Sequence, residues 1–410
     1  MTDKRRVVVT GIGLRTPIGH SLAELRDAFL EGRTGVRAMP QWREIENLRT
    51  GVAGVCTGVE DGDVPRHFRR SMGRVAILAA LCAVDAVRDA GLEAADMASP
   101  ACGVSFGSTA GSSQAMEDYL RQIFTTSSLK GLQSSVYIRF MSHTCAANLA
   151  TMFQTQGPVI ASCTACVSGS QGIGYGYEQI RAGRADIMIT GGAEEMHYMD
   201  AGIFDIMRAT STRYNDRPEQ TPRPFDRRRD GLVVGEGAGC LIVESYERAH
   251  RRGAAIHAEI IGFGNNCDGS HITNPSAEGM AAAMRLALED AGIRAEEVGH
   301  VHAHATATEL GDIAEARATH AVFGERTPVS AVKGYMGHTL GACGAIESAV
   351  TILMLKEGLI VPTRNLDEPD PACAPLNHVV GGVREHRFRI GMNNNFAFGG
   401  INTSLLFSRV

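Results

Sequence analysis

The sequence predicts an α/β protein made of two similar halves, with two sheets enclosing a central helical layer and further helices outside. Three observations carry this. Strand-like and helix-like runs alternate along the chain. A long helix over 71–90 carries Val75, Ile77, Leu78, Leu81, Val84 and Val87 nearly all round, the pattern of a helix buried on most sides. The same order of segments then occurs a second time.

An apolar run over 6–13 enters a G-x-G and reads as a strand. No acidic residue follows at the spacing of a dinucleotide fingerprint, so nucleotide binding is rejected. A helix-like stretch covers 22–31, and 61–70 is polar, ending in Arg66, Arg69 and Arg70. The 71–90 helix closes at Asp89-Ala90-Gly91-Leu92, a glycine stop signal, and a strand opens at 103–106. In the second half, 256–264 repeats 6–13, and a helix over 284–290 closes at Asp290-Ala291-Gly292-Ile293 as the first does. Pro328-Val329-Ser330-Ala331 echoes Pro158-Val159-Ile160-Ala161, and each is followed by small residues and a helix, 345–355 in the second case. Three matches in one order argue for duplication, with 113–157 an extra segment of the first half. The charged stretch 244–252 reads as a helix at the seam. The division is an N-terminal half over 1–250 and a C-terminal half over 251–410.

A chain of 410 residues exceeds one ordinary core, and a net charge of −5 gives no reason to expect nucleic acid or a membrane surface. The apolar run before Gly11 is too short for a signal-peptide core, and no stretch approaches the ~20 apolar residues of a membrane span. Ten cysteines scattered without zinc-type spacing fit a reduced cytoplasmic protein and no metal.

The chemistry centres on 158–173, PVIASCTACVSGSQGI. A short apolar strand ends in small residues, and a helix-compatible stretch begins at Ser168, which puts Cys166 at a strand-to-helix junction. Unpaired N–H groups and the helix dipole there are expected to bring the thiol from about 8.5 into the ~3.5–7.5 range. Cys163 and Cys166 form a C-x-x-C, but the surrounding pattern is not of the thioredoxin type. His304 and His338 stand in small-residue loops after apolar strands, at junctions related to that of Cys166 by the repeat. Convergence on a Cys-His-His site follows. The loop 393–400 (NNNFAFGG) adds a Gly-Gly that can bring backbone N–H groups close to a ligand.

These residues resemble the elongating β-ketoacyl-acyl carrier protein synthases over essentially the whole chain. The motifs are T-A-C at 164–166, H-x-T-x-T-x-x-G-D at 304–312, K-x-x-x-G-H at 333–338, G-A-I-E at 344–347 and N-F-A-F-G-G at 395–400. R-P-F-D at 223–226, with Asp230-Gly231 and Gly235-Glu236-Gly237, also matches. The stretch 136–145 and the C-terminal FAFGGINTSLLF look like the ketosynthases of aryl polyene pathways. The resemblance implies a thiolate nucleophile at Cys166 and a thiolase-like, duplicated five-layer αβαβα sandwich with mixed sheets and buried central helices. It implies decarboxylation promoted by His304 and His338, with Lys333 and Glu347 as a supporting ion pair. The backbone of Cys166 and the Phe398-Gly399 loop would form an oxyanion hole and gate. Thr306, Thr308, Ala110, Phe396 and Phe398 would contact substrate, and Arg69, Arg70 and Arg208 would dock the acyl carrier protein. No cofactor is implied beyond the carrier's phosphopantetheine, and the subunit would pair with itself or with a chain-length-factor-like partner.

The sequence departs from the family at Ala305, usually Gly, at Glu309, usually Pro, and at His302, usually Asn. Gly107-Ser108-Thr109-Ala110-Gly111 replaces G-S-G-I-G, and the loop 134–143 lacks the usual prolines. Ala110 is expected to widen the acyl pocket for a long, stiff or aryl-capped chain. A degradative thiolase would need a second cysteine near the C-terminus, where 393–400 has none, and an initiating synthase would carry Asn at His338. A catalytically silent chain-length partner would lack Cys166.

Overall fold

The computed structural model describes residues 5–410, and its order of elements repeats once. The first half runs β1 (Val7–Arg15), α1 (Arg74–Asp89), β2 (Cys102–Gly107), α2 (Thr144–Phe153), β3 (Val159–Ile160), α3 (Ser168–Arg181), β4 (Ile187–Glu194) and β5 (Gly237–Ser245). The second runs β6 (Ala258–Cys267), α4 (Ala277–Ala291), β7 (His300–His302), α5 (Glu309–Phe323), β8 (Pro328–Ser330), α6 (Cys343–Glu357), β9 (Ile390–Ala397) and β10 (Ile401–Ser408). Strand order is β3-β2-β4-β5-β1 in one half and β8-β7-β9-β10-β6 in the other. In each, the first three strands are parallel and the last two antiparallel.

The two expected sheets are continuous. β1 pairs antiparallel with β6 through Val7↔Ile260, Val8↔Glu259 and Val9↔Ala258, giving one 11-stranded sheet with Asn377–His378 as an added edge. The pairing removes two edges that would otherwise carry unpaired N–H and C=O groups. The sheet folds back around α3 and α6, which pack on each other. α3 lies on β2 and β4 and reaches β10, while α6 lies between β5 and β9. Outside, α1 covers β1 and β5, and α4 covers β6 and β10. These are the five layers.

Burial on both sides explains the composition of the central helices. Every residue of α6 from Cys343 to Leu355 is buried, including Glu347. α3 is rich in glycine because it must approach a strand: a Cβ at Gly172 would lie 2.5 Å from the Gly191 carbonyl oxygen. Gly91 and Gly292 end α1 and its counterpart α4 with φ of +62° and +67°, the left-handed conformation of a helix stop. α1 starts later than expected, at Arg74. α4 starts earlier, at Ala277, because the Ser276 hydroxyl caps the Gly279 N–H at 3.1 Å.

The charged stretch 244–252 is not a helix throughout. Glu244 and Ser245 finish β5, and only Tyr246–Arg251 is helical. Glu244 is fully buried, yet it takes hydrogen bonds from Thr10 at 2.5 Å and Arg252 at 2.6 Å and pairs with Arg248. Paired guanidiniums let a carboxylate end a buried strand. Among the described residues, no helix is long and apolar enough to cross a membrane.

Candidate active site

The repeat brings its junctions together. Cys166 lies in a single 3-10 turn, Ala165–Val167, immediately before α3. His304 follows β7, and His338 follows the turn after β8. Non-glycine residues with positive φ recur in these loops: Ala165 (+51°), Ala305 (+34°), Ala307 (+66°) and Leu340 (+44°). Such backbone costs of the order of 1–3 kcal/mol per residue and persists where the surroundings enforce it. Ala305 therefore keeps the conformation for which the family usually has glycine. Glu315, one turn into α5, enforces it by accepting the N–H groups of His304 at 2.7 Å and Ala305 at 2.6 Å.

The Cys166 sulfur is 3.0 Å from His338 Nε2. The expected position at a helix start is observed, but the expected acidic thiol is not. Burial pushes the Cys166 thiol up to about 12, against the pull of the Lys333 charge. The resting group is a neutral thiol. Alkylation of Cys166 should accordingly accelerate about tenfold per pH unit between roughly pH 6 and 9. A plateau below pH 8 in that profile would reinstate the acidic thiol.

Lys333, buried at the start of its own short turn, sets the histidine chemistry. Its Nζ donates to the His304 carbonyl at 2.6 Å, lies 3.2 Å from His304 Nδ1, and pairs with Glu347. Burial works against the ammonium, but the Glu347 charge prevails and holds it above its ordinary value. An ammonium has only donors, so His304 Nδ1 must accept and its proton sits on Nε2. His338 Nδ1 has no partner. A bare lone pair there costs less than a stranded N–H, which places the His338 proton on Nε2 as well. Both rings are neutral: burial, then the Lys333 charge, holds each well below the usual imidazole range. Their centroids are 5.0 Å apart, edge to face.

The Cys166 sulfur and one ring nitrogen each of His304 and His338 lie within 4.8 Å of one another, a spacing a metal ion could use. The Lys333 ammonium argues against it, because it leaves His304 with a donor rather than a lone pair at Nε2.

Replacing Lys333 by methionine strands Glu347, whose side chain is 2% exposed. The expected loss is about 3–5 kcal/mol in urea unfolding, and Glu347→Gln in the same chain should recover most of it. A single variant as stable as the parent would mean that Glu347 is already neutral.

Sequence reasoning missed Asn395, on β9. Its Nδ2 donates to Glu347 Oε2 at 2.6 Å and lies 3.4 Å from His304 Nδ1, while its Oδ1 accepts from Asn393 at 3.0 Å. Three consecutive asparagines in an otherwise apolar strand were the available signal. Cys343 was also missed; its thiol donates to the Cys166 carbonyl at 3.2 Å.

A cavity of about 510 Å³ leads from the surface to Cys166, His304 and His338. Thr306, Thr308, Phe396 and Phe398 line it, and the two threonine hydroxyls are 3.0 Å apart. Arg208 stands at its opening. Arg69, half-buried in the turn Arg66–Arg69, and exposed Arg70 do not line it. Two further expectations need correction. Ala110 is exposed and does not line the cavity. The Gly399 N–H is committed to the Ile272 carbonyl at 2.7 Å, which leaves Phe398 as the candidate amide of that loop.

Comparison with known proteins settles the ancestry of this arrangement. Residues 4–249 match the β-ketoacyl synthase N-terminal domain, and residues 257–367 match its C-terminal domain. The chain belongs to the β-ketoacyl synthase family. Vibrio cholerae 3-oxoacyl-[acyl-carrier-protein] synthase 2 is 36% identical over 418 aligned residues, covering 100% of both chains. A β-ketoacyl synthase from Burkholderia phymatum superposes with a TM-score of 0.96 at 47% identity, over 99% of this chain and 100% of that one. A type II polyketide ketosynthase, solved with its acyl carrier protein and bound to a hexaketide, gives 0.92 at 30% identity, with 100% of each chain covered. This β-ketoacyl synthase is thus an acyl-transferring enzyme of chain-elongating condensation, of the fatty acid or polyketide kind.

Proposed function

We propose that Cys166 carries the growing acyl chain and that His304 and His338 drive malonyl decarboxylation. In the first half-reaction the Cys166 sulfur attacks the thioester of an acyl carrier protein. The C–S bond to the carrier's phosphopantetheine breaks, and the thiol proton leaves with the departing sulfur. The amides of Cys166 and Phe398 stabilise the tetrahedral oxyanion. In the second, malonyl carrier protein loses CO2, and the Nε2–H groups of both histidines hold the thioester oxygen as enolate charge develops. The enolate carbon attacks acyl-Cys166, and the released sulfur takes up one proton. The observation that carries this reading is the pair of Nε2–H donors converging beside one buried sulfur, with the tautomer of His304 set by Lys333. Donors aimed at developing charge stabilise the transition state more than the ground state.

The working form is a cytoplasmic dimer of identical subunits that needs no cofactor of its own. Ten unpaired cysteines, two of them exposed, suit a reducing compartment. A polyene-type chain is the narrower reading and rests on the resemblance of the 136–145 stretch and of the C-terminal motif. Purified protein supplied with acyl and malonyl carrier protein should release CO2 and form the β-ketoacyl carrier. CO2 release without a carbon–carbon bond would instead describe a decarboxylase that supports another subunit. A panel of saturated and polyene donors on the same assay decides the chain type.

A further inference from the structure

We infer that Glu194 is a positioning residue: one of its carboxylate oxygens ties the segment carrying Cys166 to the segment carrying His338, and so sets the distance between the reacting sulfur and its donor. This rests on the condensation proposed above. Glu194 is the last residue of β4 and is 3% exposed, at the end of an otherwise uncharged strand. Its Oε2 accepts the Gly341 N–H at 2.9 Å and the Thr109 N–H at 3.0 Å. Gly341 lies in the turn Leu340–Ala342, between His338 and the start of α6. Thr109 follows β2, and its loop is fastened to the nucleophile's segment at two points. The Ser108 N–H donates to the Ser162 carbonyl at 3.3 Å, and the Cys163 thiol donates to the Thr109 carbonyl at 2.9 Å. The loops are also pressed together, since a Cβ at Gly107 would lie 2.5 Å from the Ser162 carbonyl oxygen.

A carboxyl oxygen has two lone pairs, so both N–H groups can be served at once, and a buried N–H left without an acceptor is costly. One oxygen shared by two loops therefore fixes their separation. The bridge has no slack: a Cβ on Gly341 would lie 2.7 Å from the Thr109 nitrogen and 2.9 Å from Glu194 Oε2. Leu340, beside it, is held at a φ of +44°, a conformation that persists where its surroundings enforce it. His338 has other anchors, but they pull elsewhere. Its N–H donates to the Val233 carbonyl at 2.7 Å, and its carbonyl accepts the Gly235 N–H at 2.8 Å. The Cys343 thiol also crosses to the Cys166 carbonyl, and it is the weaker tie because a thiol is a poor donor. Burial, then the Asp200 charge, pushes the Glu194 carboxyl up to about 8. Its proton belongs on Oε1, because Oε2 already accepts twice, so the bridge is the same in either protonation state.

A double-mutant cycle with His338 tests this, read as kcat and KM for decarboxylation of malonyl carrier protein and as the rate of Cys166 acylation. Glu194→Ala should lower kcat about tenfold, leave KM within about twofold and slow acylation several-fold, the effect of a displaced donor rather than of lost binding. Glu194→Gln keeps an acceptor oxygen at the same reach and should recover most of both rates. In a His338→Ala background, Glu194→Ala should cost nothing further, whereas in a His304→Ala background it should keep its effect of about tenfold. Gly341→Ala, whose added Cβ meets both partners of the bridge, should reproduce the loss and its dependence on His338, and it stands in if Glu194→Ala does not fold. The proposal is overturned if the loss persists undiminished without His338, or if Glu194→Gln falls as far as Glu194→Ala. A parent enzyme that forms no acyl-Cys166 would overturn the condensation itself, and this role with it. An active parent whose variants combine additively overturns the positioning role alone.

Discussion

Replacing Cys166 with alanine is expected to abolish acyl transfer and condensation, whereas Cys163→Ala should leave an enzyme that still acylates. The two thiols stand three residues apart and share the same small-residue loop, so composition does not separate them. Geometry does. The Cys166 sulfur is buried, 3.0 Å from His338 Nε2 and at the end of the cavity. Cys163 is exposed, and its thiol is turned to the Thr109 carbonyl at 2.9 Å, away from both histidines. Thiolate attack on a thioester splits acyl transfer into two accessible steps, and alanine offers no substitute nucleophile. Loss should therefore be complete within detection, with stability little changed, because removing one sulfur from the cavity end exposes no charge. Intact-protein mass spectrometry after incubation with acyl carrier protein checks both variants. An acyl adduct on Cys163, or one that survives Cys166→Ala, would reassign the nucleophile.

The position of Cys166 at a strand-to-helix junction was legible in the chain because its cause is local. A strand that must end, small residues that permit close approach and a helix that must begin are all written between Val159 and Ser168. The repeat was legible for a similar reason: Gly91 and Gly292 stop equivalent helices, and both take the left-handed conformation that the sequence signal requires. What escaped depends on partners distant in sequence. The thiol was expected to be acidic from the helix start alone, but burial beneath α6 and β9 outweighs that local field. Asn395 opens a recognisable motif, but only the arrival of Glu347 and His304 from two other elements gives its amide a task. Glu244 reads as helix until Arg248 and Arg252 neutralise it at the end of a buried strand. The Gly399 amide was misjudged because a glycine's freedom is visible in sequence, whereas the carbonyl of Ile272 that captures it is not.

The histidines should separate from the cysteine by half-reaction. His304→Ala and His338→Ala are each expected to slow malonyl decarboxylation by about 10²–10³-fold, the usual effect of removing one donor from developing oxyanion charge, while acyl-Cys166 still forms. The two should not behave alike in detail. His338 touches the Cys166 sulfur, so its loss should also slow acylation several-fold by removing an N–H donor from the thiolate as it forms. His304 makes no hydrogen bond to that sulfur, and its loss should leave acylation close to the parent rate. Lys333 gives a second handle. It fixes the His304 proton on Nε2, so His304→Gln, which keeps an N–H donor at similar reach, should recover part of the decarboxylation that alanine loses. The pH dependence follows from the same cause. Burial and the Lys333 charge hold both imidazoles well below their ordinary value. An unperturbed histidine would gain a proton as pH falls through about 6.5; these stay neutral, and decarboxylation by the parent should run flat from about pH 8 to about pH 6. Released CO2 and the acyl-enzyme, measured on the same samples, test all of this. A variant that lost acylation yet decarboxylated normally would exchange the roles assigned to the two half-reactions, and a rate that fell sharply below pH 6.5 would mean that one ring titrates in the open.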